Sequence, residues 1–122
     1  MKYLLIVLTM LLATAPAHAI DDGGNYAVWG VGSKSCFHYN KARETDKYDD
    51  YMNYIKGFLT AMNITEPETY SISGKMPFSE ILAWLDDTCE LKQTHSIEQA
   101  LLEFIEEHYE SRLRRARTSA GR

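Results

Sequence analysis

The sequence predicts an all-α fold, a small single domain of three to four helices stapled by one disulfide. Three observations carry this. Apolar residues recur at helical spacing over the segments near residues 45–63, 77–89 and 97–109, and no alternating stretch rivals them. Residues 1–19 have the form of a secretory leader: Lys2 at the start, an apolar run over residues 3–15, and Ala17-His18-Ala19 as a small-x-small cleavage site. The chain beyond that site holds two cysteines, Cys36 and Cys89, which an oxidising compartment favours as a disulfide.

Taken in order, residues 21–25 are polar and glycine-bearing and read as a loose lead, and residues 26–32 as an irregular aromatic and glycine-rich segment. Ser33 or Ser35 is placed to cap a short helix running from Cys36 toward Arg43. The next helix spans residues 45–63, with Tyr48, Tyr51, Met52, Ile55, Phe58, Leu59 and Met62 on its apolar face. Gly57 and Ala61 form a strip suited to close approach by another element, and Asn63 is a stop signal. Pro67, Gly74 and several hydroxyl residues mark residues 64–75 as a loop. Pro77 suits the first turn of a third helix, whose stripe is Phe78, Ile81, Leu82, Leu85 and Cys89, with Trp84 beside it. Ser96-Ile97-Glu98-Gln99 resembles a capping box. It opens a last helix with Ile97, Ala100, Leu101, Phe104, Ile105 and Tyr109 on one face, running to about residue 115.

These elements divide the chain into a signal peptide (residues 1–19), a helical domain (20–111) and a basic C-terminal tail (112–122). Cleavage after Ala19 leaves 103 residues, enough for one modest core. No Cys follows the cut to take a lipid anchor, and no later segment is long and apolar enough to span a membrane. The expected location is an oxidising compartment reached by export, which the resemblance given below implies to be the periplasm.

Charge is unevenly placed. Residues 20–111 hold 17 acidic and 7 basic residues, whereas residues 112–122 hold five arginines and no acid. An acidic body repels phosphates, so nucleic acid is not an expected partner. Arg112, Arg114, Arg115 and Arg117 suit the negative end of a helix dipole, or an arm that seeks anions.

Enzyme chemistry finds little support. The pairs Asp49-Asp50, Asp86-Asp87 and Glu106-Glu107 point apart on a helix, and there is no nucleophile elbow, phosphate loop or His-Glu-x-x-His. Cys36-x-His38 supplies too few ligands for zinc, and a disulfide consumes its sulfur. No catalytic residue, metal or cofactor is therefore assigned. Tyrosine and tryptophan favour protein contacts, and Tyr51, Tyr54, Ile55, Leu82, Trp84 and Leu85 are the candidate surface for a client or partner. A homodimer is a compatible assembly.

Three segments carry a resemblance: Gly30-Val31-Gly32-Ser33-Lys34-Ser35-Cys36, Tyr54-Ile55-Lys56-Gly57-Phe58-Leu59-Thr60-Ala61-Met62-Asn63, and Ile81-Leu82-Ala83-Trp84-Leu85-Asp86-Asp87-Thr88-Cys89. From Gly30 to about Tyr109 the chain is similar to a group of small periplasmic proteins that resembles the HdeA/HdeB acid-stress chaperones. The Tyr-Ile-x-Gly element and general layout also resemble the amidase-immunity (Tai) proteins of type VI secretion. The first resemblance implies a chaperone for unfolded clients, the second a rigid module that blocks a periplasmic toxin or enzyme. Neither brings a catalytic residue. Acid would carry the chain beyond Ala19 from −5 toward +16, loosening the fold and exposing Tyr51, Ile55, Leu82 and Leu85 while the Cys36–Cys89 bond limits opening.

Overall fold

Helix α1 (Cys36–Glu44) begins with an end that needs partners, because the first N–H groups of any helix lack intrahelical acceptors. Ser35 occupies the cap position as expected, but its hydroxyl pairs with His38 Nδ1 at 2.9 Å and does not cap the helix. The orphan amides turn instead to distant backbone: Cys36 N donates to the His95 carbonyl at 2.8 Å and Phe37 N to that of Gln93 at 3.0 Å. A computed structural model of the protein describes residues 20–116, and its remaining helices are α2 (Asp49–Thr65), α3 (Phe78–Leu91) and α4 (Ile97–His108). Short 3-10 turns occupy Gly30–Ser33 and Tyr109–Ser111. The fold is all-α, with no strand among the described residues beyond two isolated bridges. The leader assigned to residues 1–19 lies outside the described residues, as does Arg117.

The disulfide Cys36–Cys89 joins the first turn of α1 to the last turn of α3, with the Cα atoms 4.8 Å apart and both residues fully buried. The same corner is held by the Ser35–Ser96 bridge and by Asn40 Nδ2, which donates to the Cys89 carbonyl at 3.1 Å. Each device ties α1 to the α3–α4 corner, so the crosslink reinforces contacts the backbone also makes.

Helix α4 lies deepest. Ile97, Ala100, Leu101 and Phe104 are fully buried, and α2 and α3 close over them with Tyr51, Ile55 and Leu59, and with Ile81 and Leu85. The capping box forms as read: Gln99 N donates to Ser96 Oγ at 3.1 Å, and Ser96 N to Gln99 Oε1 at 2.9 Å.

Three local expectations give way to tertiary contacts. Asn63 does not stop α2, which runs on to Thr65; its Oδ1 accepts from Ile72 N at 2.6 Å and draws buried Ile72 from the loop into the core. Gly57 and Ala61 face solvent, and a Cβ at Gly57 would meet nothing within 4 Å, so the small-residue strip packs nothing. The close approach falls at Gly32, where a Cβ would sit 2.0 Å from the Tyr54 ring.

The last helix ends at His108 and not near residue 115, because the chain turns back to pair with the α2–α3 loop. Leu113 N donates to the Ser71 carbonyl at 2.9 Å, and the Leu113 carbonyl accepts from Tyr70 N and Ser71 N. Gly74, at φ 64°, lets this segment pass, since a Cβ there would lie 2.5 Å from the Ser111 carbonyl oxygen. The packed body thus continues past residue 111, into the stretch that charge alone marks as tail.

Candidate functional site

Of the six residues chosen as a client or partner surface, none is exposed in the folded molecule. Tyr51, Ile55 and Leu85 belong to the core, and Tyr54, Leu82 and Trp84 are half-buried against it. Helical periodicity selects the inward stripe, and these residues lie on or beside it. Trp84 stacks edge-on to Phe104 with centroids 5.2 Å apart, and its indole donates to Glu107 Oε2 at 3.2 Å.

Exposed aromatics include Phe37 on α1 and Tyr70 in the α2–α3 loop, and two lie close in sequence in the N-terminal segment. Trp29 is 83% and Tyr26 55% exposed. With Ala27, Val28, Tyr54, Phe58 and Glu98 they line an open recess of about 290 Å³. Its walls are made by two elements: α2 presents Tyr54 and Phe58, whose ring centroids lie 6.1 Å apart, and the extended residues before the Gly30–Ser33 turn supply the rest. Tyr54 takes its place because Gly32 leaves room for its ring.

A carboxylate in the first turn of α4 completes this recess. Glu98 is only 6% exposed, and its Oε1 accepts from the Tyr26 hydroxyl at 2.6 Å. The helix N-terminus favours its negative charge. That hydrogen bond raises the Tyr26 phenol above its ordinary range, with burial adding to it. Tyr54 is raised by burial and by the nearby Glu98 charge.

A second, polar groove of about 500 Å³ runs between α1 and α3 past Phe37, Lys41, Glu44 and Glu90. Asp86 anchors it, taking Arg43 Nε at 2.9 Å, Arg43 Nη2 at 2.7 Å and the Tyr39 hydroxyl at 2.7 Å. The Asp86 hydrogen bond holds Arg43 firmly charged, and burial together with Asp86 pushes the Tyr39 phenol far up. The groove's principal charges are engaged with one another, which leaves little to recognise a ligand.

The arginines assigned to an anion-seeking arm are largely occupied. Arg112 donates from Nε to Thr69 Oγ1 at 3.1 Å, and its guanidinium lies 3.9 Å from the Tyr109 ring centroid. Arg114 pairs with Glu68 at 2.8 Å. Arg115 is exposed, and Arg117 lies outside the described residues. Among the described residues no cluster of three His, Cys, Asp or Glu side chains could hold a metal ion. No described helix is long and apolar enough to cross a membrane.

These features define a disulfide-stapled four-helix domain with an acid-floored aromatic recess. No protein-family model, curated protein or solved structure matches the chain.

Proposed function

We propose that this is an exported, non-enzymatic protein that binds unfolded clients in the periplasm when acid loosens its fold. One observation supports the reading most directly. Among the described residues, every hydrogen bond from one side chain to another across separate elements, except Arg112 to Thr69, ends on a carboxylate: Glu68, Asp86, Glu98, Glu103 or Glu107. A carboxylate that gains a proton loses the charge that strengthens such a tie. The disulfide resists acid, so the opened chain stays tethered with its apolar stripes within reach of a client.

Glu103 gives the response a direction. It accepts from Lys92 and lies 2.9 Å from His95 Nδ1, close enough for an ion pair but off the line of a well-directed hydrogen bond. The Lys92 hydrogen bond, with the charges of Lys92 and His95, holds its carboxyl below the usual range. A depressed folded pKa contributes stability that is complete above the unfolded value and lost as pH falls through the folded one. Glu103→Gln is therefore expected to cost about 0.5–1 kcal/mol at neutral pH and to flatten the stability profile below about pH 4.5. Urea melts across that range check both.

The function is tested by light scattering of an aggregation-prone periplasmic client acidified with and without the oxidised protein. Suppression at acid but not neutral pH is the expected result, and equal scattering with and without the protein overturns it. A second reading, a rigid module that blocks a periplasmic toxin or enzyme, is favoured by the exposed Tyr26 and Trp29 beside a preformed recess.

A further inference from the structure

We propose that the recess beneath Trp29 is a docking site for an arginine side chain of a basic partner polypeptide, with Glu98 as its carboxylate counter-ion and Tyr26, Trp29, Tyr54 and Phe58 as its aromatic walls. The inference concerns the folded protein at neutral pH and does not depend on the acid response.

The argument starts from Glu98. A carboxylate removed from water is costly unless it is paired, and two oxygens accept more than one hydrogen bond. Here Oε1 takes the Tyr26 hydroxyl, and no side chain among the described residues donates to Oε2. The ion pairs of the described residues gather at Glu44, Asp86, Glu103 and Glu68, and none involves Glu98. None of the residues that line the recess is basic. The site is a mostly buried carboxylate with one oxygen still open to solvent, beside aromatic rings and with no cation partner among the described residues.

That combination selects guanidinium. Its planar face stacks on aromatic rings, and its fork of donors matches a carboxylate. It is also more weakly hydrated than an ammonium, so it is the cation more readily drawn from water into a recess lined mostly by apolar groups. Trp29 lines the recess yet is 83% exposed, so its ring offers a face for an entering side chain to cover. The surrounding body, with 17 acids against 7 bases, adds a field that draws in a basic segment. The chain's own Arg43, Arg112 and Arg114 are engaged with Asp86, Thr69 and Glu68 and do not supply the cation.

The test is titration of the oxidised protein at neutral pH with a tetra-arginine peptide and with its neutral isostere, tetra-citrulline, followed by amide and indole NMR. Arginine is expected to shift the Trp29 indole and the Tyr54 and Phe58 amides, and citrulline to shift none of them. Glu98→Gln keeps an acceptor for Tyr26 and should weaken binding about tenfold or more. Asp49→Asn with Asp50→Asn, which removes two exposed charges on α2, should change it by no more than about twofold. Equal affinity in wild type and Glu98→Gln, shifts confined to the outer acidic surface, or no binding would each overturn the proposal.

Discussion

Replacing Cys36 and Cys89 together is expected to remove about 4 kcal/mol of stability, the loop-closure contribution for a crosslink spanning 53 residues. A domain of this size has about 5–15 kcal/mol in total, so the reduced protein should be near its folding limit. Both positions are fully buried, and serine would add unpartnered hydroxyls to the loss. The Cys36→Ala, Cys89→Ala pair isolates the crosslink. Urea melts of the two double variants and the oxidised parent measure it, with a steeper denaturant dependence expected where the unfolded chain is free to expand. A loss below about 1 kcal/mol would mean that the Ser35–Ser96 bridge and the helix packing hold this corner unaided.

Phe104→Ala should cost about 3–5 kcal/mol, the range for emptying a fully buried aromatic site. Phe104 stacks with the His108 ring at a centroid distance of 4.4 Å and meets Trp84 edge-on, so the cavity opens beneath two further rings. Trp84 then loses its packing partner, and its emission should change at denaturant concentrations where the backbone is still helical. A cost below about 1 kcal/mol would show that the neighbouring side chains collapse into the space.

What the sequence discloses follows the reach of each interaction. Ile55, Leu85 and Leu101 are legible as core because helical periodicity is local, and Ser96 with Gln99 is legible as a cap because its donors and acceptors lie three residues apart. Where a distant backbone competes, the local signal misleads. Ser35 loses the amides of α1 to the carbonyls of Gln93 and His95, and Asn63 spends its side chain on Ile72. The end of α4 is set by Ser71, in the distant α2–α3 loop, to which Leu113 returns.

The recess was beyond such reading altogether. Tyr26 and Glu98 are 72 residues apart, and the capping box that spans Glu98 engages Ser96 and Gln99, not the Glu98 side chain. The one faint signal is compositional: an aromatic pair, Tyr26 and Trp29, in a segment with no helical period to bury it. The same periodicity that finds the core also drew Tyr51, Ile55 and Leu85 into the candidate surface. A stripe marks what faces inward in the folded molecule, and the exposed aromatics Tyr26 and Trp29 lie off it.

The crosslink also gives the oxidised chain a topology that survives loss of every helix. Unfolded, it is a closed ring from Cys36 to Cys89 with two free arms. The ring holds α1, α2 and most of α3, whereas α4, with the deepest core side chains, lies on the C-terminal arm. One cut inside the ring leaves both pieces covalently joined, but one cut in the α3–α4 corner sets α4 adrift. The short connection that includes Gln93 and His95 is thus where a single nick separates the core from its covers.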